Sequence, residues 1–277
     1  MEYIALHISV AGDDEAEIRT AQLADWPFES FVTGGGELVA YGQAEALEAS
    51  RAEIGAWMHG EGIGGRFERI AEQNWNAVWE SDFEPVDVEG RLLIRAPFHA
   101  PAPAGVIEAI VTPQNAFGTG HHATTWLMAR ELLGLELSGR RVLDLGSGTG
   151  VLAIVAARCG AERVDAVDID DRSVASCREN AAANGLTDRI GVLQGDVRCV
   201  AERTYDCIVA NIHRNILLDA MPFCAGMLAG GGVLLLSGFY EADAAPLIAA
   251  AEAHGLRHAA TRVRDEWRLV RLEKEVL

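Results

Sequence analysis

A glycine-rich turn between a predicted strand and a predicted helix constrains the fold of this chain more than any other feature. The strand is the apolar run 142–145, and the turn reads Gly-Ser-Gly-Thr-Gly over residues 146–150. Glycine lets a backbone turn tightly and approach a ligand where a side chain would clash. Such a turn before a helix N-terminus is typical of α/β domains that bind a nucleotide-like cofactor. We therefore expect Gly146 and Gly148 to contact a cofactor.

Strands and helices alternate along the chain after this turn. Short apolar runs at 164–167, 190–193, 207–209 and 233–236 are separated by segments with helical spacing. The last run, 267–272, alternates apolar and polar residues, which indicates an antiparallel strand. This order predicts a Rossmann-like α/β domain, doubly wound around a mostly parallel sheet with one late antiparallel strand.

Polar side chains follow three of the predicted strands. Asp168 lies 22 positions beyond Gly146, where a carboxylate is placed to bind the ribose of a nucleoside cofactor. Asp196 follows the next strand, where it could meet an adenine amine, and Asn211 points an amide into the crevice at the strand ends. A dehydrogenase explains the turn and Asp168, but not Asp196 and Asn211 as well. The four features together favour S-adenosylmethionine over NAD.

A loop with two glycines and two histidines precedes the glycine turn. Residues 115–125 read Asn-Ala-Phe-Gly-Thr-Gly-His-His-Ala-Thr-Thr, and an amphipathic run, 126–133, follows them. We interpret the loop as a segment that covers the bound cofactor, with Phe117 and Thr119 among its contacts. Adjacent histidine side chains diverge and no third ligand is evident, so the sequence predicts no metal site.

The N-terminal third has a different pattern. Residues 1–72 show the order βαββαβ, which predicts a small ferredoxin-like α+β domain with no catalytic motif of its own. The aromatic-rich segment 73–84 predicts a linker helix, with Trp75 and Trp79 on one face. The catalytic domain then comprises residues 85–277.

The composition narrows the choice of partners. The 277 residues carry a net charge of −18, and Lys274 is the single lysine. An acidic surface argues against direct nucleic-acid binding, which needs a basic patch. Adaptation to high salt explains this charge first, and attraction of a basic partner second. Because the sequence shows neither a signal peptide nor an apolar stretch long enough for a membrane span, we expect a cytoplasmic protein without membrane contact. We also expect it to be a monomer.

Several of these motifs resemble those of one family. The run 116–125, Ala-Phe-Gly-Thr-Gly-His-His-Ala-Thr-Thr, is similar to the signature loop of the PrmA family of class I methyltransferases. The segment 74–83 resembles that family's linker, and Asn211-Ile212 and Ser237-Gly238 resemble its later motifs. The resemblance implies an N-terminal domain that binds large-subunit ribosomal protein eleven and a C-terminal domain that methylates its amines, on lysine side chains, the N-terminal α-amine or both.

The resemblance also implies roles for individual residues. Carried over by position, the cofactor ligands are Thr125, Gly146, Asp168 and Asn211. We expect the Asn211 carbonyl oxygen to accept amine hydrogens and aim the lone pair, and His122 is a candidate base. The stretch 213–215, His-Arg-Asn, is bulkier and more polar than in many family members.

Other functions remain compatible with the motifs. One is a class I methyltransferase that acts on a different protein, an RNA or a small-molecule amine. An RNA amino-group enzyme would usually carry Asn-Pro-Pro where this chain has Asn211-Ile212-His213. A silent binding module that keeps the fold is a second alternative, and a nicotinamide-dependent dehydrogenase is a third.

Overall fold

The computed structural model describes residues 3–70, 84–112 and 122–276. The chain divides into two compact units, Met1–Phe83 and Glu84–Leu277. The predicted linker helix lies almost wholly outside the described residues, as do Phe117 and Thr119. Within the described ranges, the helices are all too short or too polar to cross a membrane.

The first unit is a four-stranded antiparallel sheet with two helices. Its elements are β1 (Tyr3–Ser9), α1 (Asp13–Leu23), β2 (Ser30–Gly34), β3 (Glu37–Gln43), α2 (Ala44–Gly60) and β4 (Gly65–Ile70). The strands are ordered β2-β3-β1-β4, with every neighbouring pair antiparallel. Alternate residues of β1, Ile4, Leu6 and Ile8, are buried against the helices with Leu47 and Ile54, as the period of two requires.

The second unit begins with a small sheet and a helix. Its elements are β5 (Val86–Val88), β6 (Leu92–Arg95), β7 (Ile107–Ile110) and α3 (Ala123–Leu132). Strand β6 pairs antiparallel with β5 and parallel with β7. Residues of all three strands pack into the same hydrophobic core as α3.

The central sheet confirms the predicted mostly parallel α/β fold. The strands are β8 (Arg141–Leu145), β9 (Arg163–Asp168), β10 (Ile190–Gln194), β11 (Tyr205–Asn211), β12 (Leu228–Tyr240), β13 (Leu256–Arg264) and β14 (Trp267–Lys274). Between them lie α4 (Val151–Arg158), α5 (Asp171–Ala183), α6 (Arg214–Met227), α7 (Glu241–Ala253) and a 3-10 turn (Val197–Val200). The strand order is β10-β9-β8-β11-β12-β14-β13.

Two features of this order position the site. The strand sequence changes direction between β8 and β11, which opens a crevice at their carboxyl ends. The predicted late antiparallel strand is β14, which runs antiparallel to β12. The sequence prediction missed β13, because this strand at the edge of the sheet carries polar residues on both faces and lacks apolar alternation.

Candidate active site

The glycine turn lies at the carboxyl end of β8, next to the change in strand order. Gly146, Gly148 and Gly150 all have left-handed backbones, with φ of 74°, 52° and 79°. A Cβ atom at Gly146 would overlap the side chain of Ile212, and one at Gly150 would overlap the thiol of Cys177. Glycine is therefore required at both positions by conformation and by space.

Asp168 braces this turn from the end of β9. Its Oδ2 accepts a hydrogen bond from the Gly148 N–H at 2.8 Å, and its Oδ1 accepts one from the Asp170 N–H at 3.0 Å. A carboxylate has about four acceptor sites, so two sites remain for a ligand. The residue lines a cavity together with Gly146 and Gly148.

Asp196 starts the 3-10 turn that follows β10. Its Oδ1 accepts from the Arg198 N–H at 2.8 Å, and its Oδ2 pairs with the Arg198 guanidinium. The backbone N–H of Arg198 is the largest cause that lowers the pKa of Asp196, and the guanidinium lowers it further. The carboxylate lines the same cavity, but these local contacts use part of its capacity to accept hydrogen bonds.

Asn211 ends β11 and supplies an unused acceptor. Its Oδ1 is buried and has no hydrogen-bond partner in the described part of the chain. Its Nδ2 lies 3.5 Å from the hydroxyl of Thr125, which is 1% exposed on α3. Asn211 lines the cavity and Thr125 does not, so the threonine lies behind the asparagine. An acceptor buried without a partner is costly unless a ligand supplies the donor.

His122 is the N-cap of α3. Its Nδ1 accepts from the Thr124 N–H at 3.3 Å and lies 2.8 Å from the Thr124 hydroxyl. Burial lowers the pKa of His122. Its ring packs against Trp267 with 4.4 Å between the ring centroids. The imidazole therefore lies at the cavity wall, where the helix cap fixes its orientation.

These residues surround one cavity of about 480 Å³. It brings together six of the residues singled out from the sequence: His122, Gly146, Gly148, Asp168, Asp196 and Asn211. The sequence analysis did not single out Ile169, Val197, Ile216 and Trp267 as site residues, although they also line the cavity. In the described ranges, no group of three His, Cys, Asp or Glu residues could hold a metal ion.

The cavity suits a nucleoside with a charged tail. Ile169 is 70% exposed and, with the buried Val197, offers apolar surface to a flat base. The glycine backbone allows close approach, and Asp168 has free acceptor sites for hydroxyl groups. The residues present therefore fit S-adenosylmethionine, and the unpartnered Asn211 Oδ1 remains for a donor from a second ligand.

Comparisons with known proteins point in one direction. The family model described as "Ribosomal protein L11 methyltransferase (PrmA)" matches residues 15–275. The ribosomal protein L11 methyltransferase of Porphyromonas gingivalis is 42% identical over 285 residues, covering 98% of this chain and 97% of the relative. That of Bacteroides fragilis is 37% identical over 260 residues, covering 92% of each chain.

A solved structure agrees with the sequence relatives. The crystal structure of ribosomal protein L11 methylase from Lactobacillus delbrueckii subsp. bulgaricus superposes with a TM-score of 0.65 at 27% identity. The match covers 70% of this chain and 100% of that chain. With the family model spanning nearly the whole sequence, the chain belongs to the ribosomal protein L11 methyltransferase family.

Proposed function

We propose that this chain is a protein N-methyltransferase that uses S-adenosylmethionine to methylate amines of ribosomal protein L11. The observation that carries the proposal is the buried, unpartnered Oδ1 of Asn211 in a cavity that also holds the glycine turn and Asp168. One wall of the cavity fits the cofactor, and the acceptor fits a substrate amine. The relatives named as L11 methyltransferases supply the identity of the substrate.

The cofactor contacts that we propose extend around the cavity. Asp168 would bind the ribose hydroxyls, Asp196 the adenine amine, and Gly146 and Gly148 the main body of the molecule. When bound, the cofactor supplies a methyl group on a positively charged sulfur, which leaves as a neutral thioether. Thr125 remains a proposed contact on the strength of the family resemblance, and Phe117 and Thr119 remain proposed contacts as residues of the loop that we interpret as a cover for the cofactor.

The protein's part in the reaction is to present a neutral amine. A lysine amine has a pKa near 10.4 and an α-amine near 7.7–8.0, so both are largely or partly protonated at neutral pH. The apolar lining contributed by Ile212 disfavours the ammonium form of an unmodified amine, since desolvation lowers an amine's pKa. The Asn211 Oδ1 would accept an amine hydrogen and direct the lone pair. His122 stays a candidate proton acceptor, because burial lowers its pKa and favours the neutral ring.

The N-terminal unit is assigned the task of recognition. Its element order and strand order support a ferredoxin-like fold for residues 1–72, with a linker helix at 73–84 and the catalytic domain at 85–277. A net charge of −18 favours encounter with a basic protein substrate. We place the enzyme in the cytoplasm, because its proposed substrate is a ribosomal protein. We expect it to be a monomer, and its acidic net charge disfavours direct nucleic-acid contact.

A labelling experiment tests the proposal. The purified chain is incubated with methyl-labelled cofactor and, in separate reactions, a mixture of ribosomal proteins or a set of small amines, and label is located by mass spectrometry. We expect label on amines of L11 and none with the variant Gly146→Val, whose side chain would overlap Ile212. Label on another protein or a small amine would favour the alternative of a class I methyltransferase with a different substrate. Absence of label on every acceptor would contradict both assignments.

A further inference from the structure

An aromatic cluster, consisting of Trp267, Tyr240 and His122, borders the cavity that Asn211 also lines, with Trp267 and His122 in the cavity wall. Trp267 is the first residue of β14 and pairs with Tyr240 at the end of β12. Because β14 is antiparallel to β12, its first residue lies at the sheet edge where the parallel strands end. Trp267, His122 and Asn211 all line the cavity. The topology therefore brings an indole ring to the wall of the cavity that Asn211 also lines.

The rings of this cluster are in close contact. The Tyr240 and Trp267 centroids are 4.4 Å apart with planes tilted by 31°, and the His122 and Trp267 centroids are 4.4 Å apart with planes at 68°. Neither Trp267 nor Tyr240 belongs to the buried core clusters, and Tyr240 is 47% exposed. Core packing thus does not account for this aromatic surface at the cavity.

The charged groups nearby are engaged elsewhere. The Arg268 guanidinium pairs with Glu241 at 2.7 Å, and Arg264 lies over the ring of Trp126. In the described part of the chain, no arginine or lysine lies over the ring of Trp267. Among the described residues, the ring of Trp267 is therefore left without a protein cation, although aromatic rings, and tryptophan most of all, attract cations.

The chemistry of repeated methylation supplies a cation. Each added methyl removes an N–H group, so the Asn211 oxygen loses the donor that it needs to hold the nitrogen. A methylated ammonium group keeps its charge and gains apolar surface, and aromatic rings recognise such groups well. The Asn211 oxygen is suited to bind the unmodified amine, and the aromatic cluster is suited to bind the methylated ammonium group.

We propose that the aromatic cluster binds the N-methylated ammonium group of the substrate and thereby sets how many methyl groups one nitrogen receives. Trp267 is the principal contact, with Tyr240 and His122 holding its ring. This inference rests on the proposed function, since it presumes that the substrate is an amine. It assigns to Trp267 a role in specificity that is separate from cofactor binding.

A binding experiment tests the cluster without any turnover. The probes are the blocked amino acid acetyl-Nε-trimethyllysine methylamide and its uncharged analogue, in which a tert-butyl carbon replaces the trimethylated nitrogen. Isothermal titration of the wild-type protein should show a preference of about 5-fold or more for the charged probe. Trp267→Leu should abolish the preference and Trp267→Phe should retain part of it. Equal affinity of the wild-type protein for both probes, or an unchanged preference in Trp267→Leu, would overturn the proposal.

A product analysis tests the consequence for the reaction. With L11 as acceptor, Trp267→Leu should raise the ratio of singly to multiply methylated amines by about 5-fold or more. This is the size of the preference for the methylated ammonium group that the variant should lose in the binding experiment. Cofactor affinity should stay within about 2-fold of the wild-type value, since the role is separate from cofactor binding. Phe98→Leu, at an exposed aromatic outside the cavity, is the matched control and should leave the ratio unchanged.

The two assays distinguish a failure of the proposed function from a failure of the proposed role of the aromatic cluster. A preference for the charged probe in a protein that does not methylate L11 would retain the aromatic site and reject the proposed substrate. L11 methylation with an unchanged product ratio in Trp267→Leu would retain the function and overturn the role of the cluster. Thermal unfolding of each variant establishes whether it is folded. If Trp267→Leu does not fold, the comparison of Trp267→Phe with the wild-type protein tests the proposal.

Discussion

The side-chain amide of Asn180 is hydrogen-bonded to the carbonyl oxygen of Thr149, inside the glycine turn, at 2.9 Å. The same side chain accepts a hydrogen bond from the Thr112 N–H at 2.9 Å, just beyond the end of β7. Asn180 is fully buried on α5. One side chain therefore joins the cofactor turn to the segment that follows the small sheet.

Asn180→Ala should weaken both the fold and the cofactor site. The substitution removes the hydrogen bonds that Asn180 makes to the Thr149 carbonyl and the Thr112 N–H, at about 1–3 kcal/mol for each. Urea unfolding should therefore show a loss of about 2–6 kcal/mol in the free energy of unfolding. Calorimetry should show weaker cofactor binding, because Thr149 lies in the turn.

Asn184→Ala is the matched control for this prediction. Asn184 lies one helical turn later and bonds Ile110 through both its Oδ1 and its Nδ2, without contacting the glycine turn. Its loss should lower stability by a similar amount and leave cofactor affinity nearly unchanged. Equal losses of cofactor affinity in the two variants would show that the link to Thr149 has no specific effect on the site.

Asp144 should make stability depend on pH. Complete burial raises the pKa of Asp144 from 3.8 to about 7, although the hydrogen bond from the Ala153 N–H opposes the shift. Because the folded state binds the proton more tightly, this contribution is fully present below about pH 4 and is lost as pH rises to about 7. Asp144→Asn keeps the shape without the charge, so it should be stabilised relative to wild type above pH 7, by a few kcal/mol at most.

Denaturant unfolding of both proteins at several pH values, without cofactor, measures this effect. The difference between them should grow from pH 4 to pH 7 and then level off. A difference between Asp144→Asn and wild type that is constant across this range would contradict the raised pKa.

The sequence was sufficient to predict the strand-and-turn features of the catalytic unit. Period-two and helical spacing marked most elements, and the glycine turn with Asp168 and Asn211 marked the strand ends that meet at the cavity. These signals are local, so a single sequence carries them. Asp168 and Asn211 lie together only because the carboxyl ends of parallel strands share one edge.

Contacts that depend on packing between distant segments were not predictable in this way. Trp267 reaches the cavity because β14 runs opposite to its neighbour, and no local pattern reveals that a strand's first residue will lie beside a ligand. Likewise, the sequence does not show that Asp196 caps its own 3-10 turn. The position of Thr125 behind Asn211 depends on how α3 packs on the sheet.

Asp168→Ala should weaken cofactor binding more than any change at a neighbouring carboxylate. The variant loses the charge-assisted hydrogen bonds that we propose to the ribose, each contributing about 1.5–3 kcal/mol, and also the bond that holds the Gly148 N–H. Isothermal titration should therefore show a loss of at least 10-fold in affinity. Asp170→Ala is the control, since Asp170 caps α5 and does not line the cavity. Similar affinities in the two variants would remove Asp168 from the cofactor site.

The second unit alone should bind cofactor but not methylate L11. The chain divides at Glu84 into two units with separate hydrophobic cores, and every described residue of the cavity lies in the second. A fragment of residues 84–277 should bind S-adenosylmethionine within a few-fold of the full chain. Its rate on L11 should fall by about 10² or more if the first unit positions the substrate. Full activity of the fragment would refute this division of labour.

Asn211→Ala should separate the chemical step from cofactor binding. The variant removes the buried Oδ1 while the glycine turn and Asp168 keep their contacts. If the oxygen aims the amine, single-turnover methyl transfer should fall by about 10² or more at saturating cofactor. Cofactor affinity should fall less than in Asp168→Ala.

Thr125→Val decides whether Thr125 and Asn211 aim the substrate amine or hold the cofactor. Valine keeps the shape of threonine and removes the hydroxyl that lies 3.5 Å from the Asn211 Nδ2. If Thr125 acts only by orienting Asn211, its variant should show a smaller loss of rate, about 10-fold or less, with cofactor affinity unchanged. A large affinity loss in both variants, with a normal rate at saturating cofactor, would instead assign the pair to holding the cofactor. That outcome would leave the aiming of the amine to another group in the cavity.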